Sequence, residues 1–200
     1  PDAFTYGMHC FGSNVDFKSS TGTVNGDVAS SNNVKNYGSM TINGAVTEDS
    51  TVPDPDPIDM ASYLAIADSV QAGGYTFTAG TYGSSGNEQI YYIQGNVTIN
   101  SNVTIYGTVV ADGHINMSSS SVNIIAATGY PAIISGGSIS GNSLSNSTIT
   151  GLIYADNNII YDSMNNVTMN TSMLAGNNIS MKSGSNFTIN YNSSTYTNPP

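Results

Sequence analysis

The sequence has few charged side chains, and nearly all of them are acidic. It contains three basic residues, all of them lysine (Lys18, Lys35 and Lys182), against 13 acidic ones, so the formal net charge of the 200-residue chain is −10. A chain with so few cations cannot neutralise a phosphate backbone, and an anionic membrane surface would repel it. The composition therefore excludes nucleic acid as a partner.

Cysteine and long apolar runs are also scarce. Cys10 is the only cysteine, so an internal disulfide is impossible, while a free thiol or an intermolecular bridge remains open. No apolar run approaches the ~18 residues that a membrane-spanning helix needs, and no signal peptide is visible. The chain opens at Pro1, which predicts a processed or truncated N-terminus.

Glycine, asparagine and small hydroxyl residues fill most of the chain instead. There are 21 glycines and 25 asparagines, and apolar residues make up 38% of the sequence. Polar chains are disordered when their charge is high, but here charge is low and Val, Ile and Tyr are frequent. This composition favours many short strands separated by turns.

Four segments of equal length repeat one pattern. They are 20 residues long and comprise residues 107–126, 131–150, 151–170 and 171–190. When the segments are aligned, one column contains only isoleucine, which we interpret as a ladder in the core. The residues of this column are Ile115, Ile139, Ile159 and Ile179.

Each segment alternates apolar and polar residues and then reaches Gly or Asn, which is typical of strands joined by sharp turns. The pattern extends upstream, where residues 91–106 have the same character and TVNGDV (23–28) recurs as TINGAV (41–46). A period near 20 residues with no helix inside it predicts stacked turns of a β-helix. We therefore expect an all-β fold, a right-handed parallel β-helix (solenoid) of about seven turns.

One stretch of the chain interrupts the repeat with a Pro/Asp-rich linker, a short helix and a strand pair. The predicted division is N-terminal solenoid turns in 1–46, this insertion in 47–88, the main solenoid in 89–191 and a C-terminal tail in 192–200.

The predicted helix has clear start and stop signals. Asp56 is the expected N-cap, with Pro57 at the first helical position and Asp59 in the first turn. Gly73-Gly74 is expected to end the helix, and 75–82 to form the strand pair. The apolar face of the helix would consist of Met60, Leu64, Ala67 and Val70/Gln71.

The repeat also contains an apolar column that should point away from the core. Its residues are Val110, Ile134, Tyr154 and Leu174. An outward apolar stripe of this length needs a cover. We expect the cover to be either the helix of the same chain or a neighbouring subunit.

Parallel β-helices often carry enzymes that act on polysaccharides, but the sequence does not favour this activity. Lyases use basic groups to hold the uronate carboxylate, and arginine is absent here. Hydrolases need two facing carboxylates, and Asp112 and Asp156 would share a corner column ~10 Å apart, with Gly136 between them. Since aspartate is common at turns, we expect no enzymatic activity.

No metal or cofactor site is expected either. His9 and His114 have no partner at the spacing of metal ligands. Asp54, Asp56 and Asp59 lack the ligand spacing of a calcium-binding loop.

A column of threonines raises the question of ice binding, because regular threonine ladders on flat solenoid faces are typical of that function. Thr148, Thr168 and Thr188 form a single column of three turns, and no T-x-T array is evident. The sequence alone therefore favours other functions.

Several motifs together resemble a group of bacterial cell-surface proteins that are pilin-like and associated with type IV pili. The motifs are TVNGDV, TINGAV, the Pro/Asp linker with its helix, YYIQGNVTI, GTVVADGHI, GYPAIISGGSI, GLIYADNNI and FTINY. More distantly the pattern resembles bactofilins, which polymerise end to end. The resemblance covers nearly the whole chain except for the hydrophobic N-terminal helix of the group, and it implies a β-solenoid body at the cell surface.

We therefore expect an extracellular or cell-surface structural protein that assembles with itself, and pilus or other surface components as further partners. Open solenoid ends pair readily with another chain, so residues 12–46 and 171–191 would form the end-to-end contacts of a filament. One alternative is a polysaccharide-acting enzyme in which Asp112 and Asp156 converge in a groove. The other is a monomeric adhesin or carbohydrate-binding module, which would stack sugars on exposed rings. Those rings would be Tyr91, Tyr92, Tyr106, Tyr154 and Tyr161.

Overall fold

The computed structural model describes residues 5–18, 20–49, 51, 57–117, 119–127 and 129–191, which form 24 strands and one helix. The first elements are β1 (Met8–Cys10), β2 (Val15–Phe17), β3 (Ser20–Asn25), β4 (Val28–Ser30), β5 (Val34–Asn36), β6 (Ser39–Ile42), β7 (Val46–Thr47), α1 (Met60–Ile66), β8 (Ser69–Ala72), β9 (Tyr75–Phe77), β10 (Gly80–Tyr82), β11 (Gln89–Gln94) and β12 (Val97–Ile99). The remaining strands are β13 (Val103–Ala111), β14 (Ile115–Asn116), β15 (Val122–Ile125), β16 (Ile133–Ser135), β17 (Ile139–Gly141), β18 (Leu144–Thr150), β19 (Ile153–Ala155), β20 (Asn158–Tyr161), β21 (Met164–Asn170), β22 (Met173–Ala175), β23 (Asn178–Met181) and β24 (Gly184–Asn190).

These strands stack in parallel into a solenoid with three faces, which we call the helix face, the middle face and the threonine face. The helix face contains β8, β11, the second half of β13, β16, β19, β22, β1, β4 and β7. The middle face contains β9, β12, β14, β17, β20, β23, β2 and β5. The threonine face contains β10, the first half of β13, β15, β18, β21, β24, β3 and β6. The predicted parallel β-solenoid is confirmed, with about nine turns in place of about seven.

The turns do not stack in the order of the sequence. The turn made by β1, β2 and β3 lies directly on the turn made by β22, β23 and β24, with Met8 opposite Met173 and Val15 opposite Ile179. The turn over residues 171–191 therefore has a neighbouring turn on each side. The expectation that this turn forms an open end of the rod is wrong, because its strand edges are already paired within the same chain.

The core of the solenoid lies between the three faces and is filled by stacked apolar side chains. Ile115, Ile139, Ile159 and Ile179 lie in register on successive turns of the middle face, and each is fully buried. Val15 continues this column on the next turn. Burial of one such side chain stabilises the fold by about 1.5–3 kcal/mol.

The chain after the helix does not form a separate strand pair. Its strands β8, β9 and β10 form the turn at one end of the solenoid. β9 and β10 do not pair with each other, because β9 pairs with β12 and β10 pairs with β13. Their aromatic rings close this end of the core. Phe77 packs edge-on at 4.9 Å against both Tyr75 and Tyr82, and at 5.5 Å against Tyr91.

Cys10 lies in β1, within the turn that stacks on the turn made by β22, β23 and β24. Its side chain is buried, and the thiol donates a hydrogen bond to the backbone oxygen of Asn177 at 2.9 Å. Burial raises the pKa of the thiol. The thiol is therefore held protonated and away from other chains.

The helix is shorter than predicted and has a different N-cap. It begins at Met60, and the carboxylate of Asp59 accepts a hydrogen bond from the backbone nitrogen of Ala61 at 3.0 Å. Asp56, the predicted N-cap, lies outside the described residues. The helix ends at Ile66 because Ser69–Ala72 pair with β11 as a strand. Val70, which was assigned to the apolar helical face, is 46% exposed in that strand.

One tyrosine attaches the helix to the solenoid. Tyr63 is fully buried in a cluster with Tyr92, Leu152 and the outward apolar column of the helix face. That column contains Val110, Ile134, Tyr154 and Leu174, which are between 0% and 4% exposed. Helix α1 of the same chain therefore packs on this stripe.

We predict that Tyr63→Ala destabilises the protein by about 3 kcal/mol, because the substitution leaves a cavity under the helix. The control is Leu64→Ala, one residue further along the same helix, whose side chain is 37% exposed. Chemical denaturation of both variants measures the difference. Equal effects of the two substitutions would contradict the assignment of Tyr63 as the anchor of the helix.

A second tyrosine of this cluster, Tyr92, makes the stability of the fold sensitive to alkaline pH. The hydroxyl of Tyr92 donates a hydrogen bond to the carboxylate of Asp112. Burial is the main cause that raises the pKa of Tyr92 from 10.0 to about 12, and the hydrogen bond and the charge of Asp112 raise it further in the same direction. Burial also raises the pKa of Tyr161 in the core.

A raised tyrosine pKa stabilises the folded state below the unfolded pKa, and this contribution is lost as the pH rises through the folded pKa. We therefore predict that the free energy of unfolding falls between pH 10 and about pH 12. Tyr92→Phe should make this fall smaller, since Tyr161 then causes the remainder. Denaturation curves across this pH range measure both proteins, and identical pH profiles would contradict the prediction.

Candidate functional site

The outward side chains of the threonine face form a column that consists almost entirely of threonine. Successive turns place these residues directly opposite one another in the strand register. In order along the rod, the column contains Thr81, Thr104, Asn123, Thr148, Thr168, Thr188, Thr23 and Thr41.

The threonine hydroxyls of this column are not used by the fold. None of them forms a hydrogen bond with another described residue, so both their donor and acceptor capacity faces solvent. The strands of this face also carry no charged residue within the described chain. The surface is therefore neutral and offers one free hydroxyl group per turn along most of its length.

A second column lies two residues further along each strand. Over five successive turns it contains Thr150, Asn170, Asn190, Asn25 and Asn43. The four asparagines form a ladder of three bonds, in which the side-chain nitrogens of Asn190, Asn25 and Asn43 each donate to the side-chain oxygen of the asparagine on the preceding turn. The distances along this ladder are 3.0, 2.8 and 2.8 Å.

The two columns together make a regular array, which we call the Thr-x-Asn grid. Its five turns carry Thr148/Thr150, Thr168/Asn170, Thr188/Asn190, Thr23/Asn25 and Thr41/Asn43. Adjacent turns lie ~4.8 Å apart, and alternate residues of one strand lie ~6.6 Å apart. Sheets normally twist, and side-chain ladders are one of the features that keep a sheet flat.

The grid does not extend over the whole threonine face. On the turns before β18 the second column contains Tyr106 and Ile125, and Asn123 interrupts the first column. The regular part of the face is thus built by residues 20–43 and 144–190, which come from opposite ends of the described chain.

The middle face has no comparable order. Its outward column contains Thr76, Thr98, Asn116, Ser140, Ile160, Ser180, Asp16 and Lys35. Apolar, charged and hydroxyl residues alternate here without a repeat, and the carboxylate of Asp16 lies 3.7 Å from the amine of Lys18. This face offers no periodic surface.

The 20-residue repeat reveals only a short part of the threonine column. Thr148, Thr168 and Thr188 align within the 20-residue repeat, whereas Thr23 and Thr41 lie more than 100 positions away in the chain. Only the stacking of β3 on β24 brings these two groups together. The triplet T-x-N recurs at 23–25, 41–43, 168–170 and 188–190, but it also occurs at 98–100 on the middle face, so this sequence signal alone does not identify the grid.

The tyrosines considered for sugar stacking do not share an exposed face. Tyr161 is fully buried in the core, and Tyr92 and Tyr154 are each 4% exposed beneath the helix. Tyr91 packs against Phe77 at the end of the core. Of these five tyrosines, only Tyr106 lies on the threonine face.

The two aspartates considered for catalysis have ordinary positions at a corner of the solenoid. The carboxylate of Asp112 accepts a hydrogen bond from the hydroxyl of Tyr92, and Asp112 and Asp156 are both exposed on separate turns.

His114, also at a corner, accepts a hydrogen bond from the backbone nitrogen of Ser138 at 2.9 Å. His9 is buried beside the rings of Tyr6 and Phe11.

Neither a metal-binding cluster nor a membrane-spanning helix is found among the described residues. They contain no group of three His, Cys, Asp or Glu side chains arranged to hold a metal ion. Within the same part of the chain, no helix has the length and apolar character needed to cross a membrane.

Solved structures share this fold at low sequence identity. An ice-binding protein from an Antarctic biological consortium matches with a TM-score of 0.54 and 14% identity, over 93% of this chain and 88% of its own. An ice-binding protein from an Arctic yeast matches with a TM-score of 0.55 and 12% identity, over 94% of this chain and 91% of its own. No family model matches the sequence. No curated protein matches it either.

These findings correct the functional expectations. The resemblance to pilin-like and bactofilin-like proteins is wrong, because the two solved structures named above, which share the fold along nearly the whole chain, are ice-binding proteins. The filament-subunit function is wrong on the same grounds, as are the adhesin and polysaccharide-enzyme alternatives. The positions of the tyrosines and of Asp112 agree with this correction.

We predict that Thr168→Val changes the free energy of unfolding by less than about 0.5 kcal/mol, because this hydroxyl forms no bond within the described fold. Thr171 is the matched control: it is fully buried, and its hydroxyl donates to the backbone oxygen of Gly151 at 2.6 Å. Thr171→Val should cost about 1–3 kcal/mol, since it leaves that oxygen without its donor. Chemical denaturation measures both. A large loss in Thr168→Val would show that the column has a structural role.

Proposed function

We propose that this protein binds ice through the Thr-x-Asn grid of its threonine face. The observation that carries the proposal is the column of seven threonines with free hydroxyl groups, flanked over five turns by a column of asparagine and threonine. A crystal of ice presents water at regular intervals, and this face presents polar groups at regular intervals.

Periodicity matters because each contact with water is weak. One hydrogen bond contributes only about 0.5–1.5 kcal/mol in net terms, so a single hydroxyl cannot distinguish ice from liquid water. Ten residues on a rigid grid can make such contacts together, and the strands have already fixed their positions. Little further ordering of the protein is then needed on binding.

The chemistry of the grid suits an uncharged, ordered surface of water. Threonine presents both a methyl group and a hydroxyl, and the hydroxyl can donate one hydrogen bond and accept others. The asparagine amides bond to one another along their ladder and keep a second N–H group for water. No charged group on these strands imposes a different hydration shell.

The fold neighbours support the same function, because two solved ice-binding proteins share the β-solenoid along nearly the whole chain. The function requires no catalysis, so the proposal includes a non-enzymatic protein. It also includes an extracellular location, where ice would form first.

The proposal predicts that the purified protein shows thermal hysteresis and inhibits the recrystallisation of ice. Thr168→Tyr should abolish most of both activities, because a ring on the second of the five turns of the grid would hold the neighbouring threonines away from the ice surface. Nanolitre osmometry on folded protein, checked by its thermal unfolding, measures this effect.

The matched control places the same ring on another face. Thr98 points outward from the middle face, so Thr98→Tyr should retain the hysteresis of the unmodified protein. Absence of hysteresis in the unmodified protein would refute ice binding. Equal losses in Thr98→Tyr and Thr168→Tyr would refute the assignment to the threonine face.

A further inference from the structure

We infer that three asparagines at the edge of the grid are positioning residues, which set the spacing of the threonine hydroxyls for ice. The inference rests on the proposed function and assigns a role at the same site. The residues are Asn146, Asn166 and Asn186, and each precedes a threonine of the column by two positions.

These three asparagines share an uncommon backbone conformation. Their φ angles are 47°, 54° and 52°, in the left-handed region that asparagine tolerates better than most residues with a side chain. The same conformation at the same point of three successive turns brings their side chains together at the outer surface. All three are exposed.

Their amides form a second ladder beside the threonine column. The side-chain nitrogen of Asn166 donates to the side-chain oxygen of Asn146 at 3.3 Å, and that of Asn186 donates to the oxygen of Asn166. Each bond ties one turn to the next at the edge of the grid. The ladder of Asn170, Asn190, Asn25 and Asn43 does the same on the opposite side of the threonines.

Thr168 and Thr188 thus lie between two ladders, and neither makes a side-chain bond of its own within the described fold. The paired strands set the distance between turns, and the bonded amides on either side limit how far neighbouring strands twist relative to each other. Loosening one ladder would let the edges of neighbouring strands twist relative to each other, as sheets do without such support. The hydroxyls would then lose their regular spacing, although every threonine would still be present.

Asn102 separates the effect of the backbone from that of the ladder. It has the same left-handed conformation, with φ of 59°, and it precedes Thr104 by two positions. Its side chain is not part of the amide ladder and lies outside the grid. A substitution at Asn102 therefore repeats the backbone change without breaking a ladder bond.

Glycine is the test residue, because it adopts the left-handed conformation without steric cost. Asn166→Gly removes two ladder bonds, whereas Asn146→Gly and Asn186→Gly each remove one. We expect Asn166→Gly to lower thermal hysteresis more than either neighbour does, because it removes two ladder bonds and each of the others removes one. Asn102→Gly should leave the hysteresis unchanged.

Hysteresis is measured just below the freezing point, where thermal unfolding curves can establish that every variant is folded. A role in stability alone would lower the unfolding temperature and leave the hysteresis intact, which would overturn the inference. Equal losses at all three positions would indicate direct contact with ice and would also overturn it. An unmodified protein with no hysteresis would refute the proposed function itself, which distinguishes that failure from the other two.

Discussion

The structure depends on one constraint, which is that equivalent residues of successive turns stack directly on one another at the spacing of paired strands. Inside the solenoid this constraint builds apolar columns such as Ile115, Ile139, Ile159 and Ile179, each fully buried. Outside, it converts any residue type that recurs in sequence into a continuous stripe. The chemical character of each face is therefore set by very few positions per turn.

Two outward stripes show how differently the same stacking can be used. On the helix face the stripe is apolar, and Tyr63 of helix α1 packs on it with Val110 and Leu174. On the threonine face the stripe is polar and bears no charge, so it has no need of a cover and stays in contact with solvent. The chain thus covers its helix face with α1 and leaves its threonine face exposed to solvent.

The sequence predicted the fold class from its period, because the repeat over 107–190 is local and nearly regular. It did not predict which turns are neighbours. Nothing in the local pattern of 20–25 indicates that this strand lies on 184–190, since the contact depends on docking over more than 160 positions of chain. The threonine column was therefore underestimated, and the residues at 171–191 were wrongly placed at an end. The helix N-cap was misplaced because Asp56 and Asp59 carry the same local signal, and only the docked position of α1 decides between them.

The non-sequential stacking of the turns also has a consequence for the synthesis and folding of the chain. Within the described chain, β3 and β6 are made before most other strands, but the edge on which β3 pairs belongs to β24, the last described strand. Contacts between distant parts of a chain form slowly. The grid therefore cannot be complete until β24 has been made, and a chain arrested before β24 would contain β3, β6, β18 and β21 yet display no complete surface.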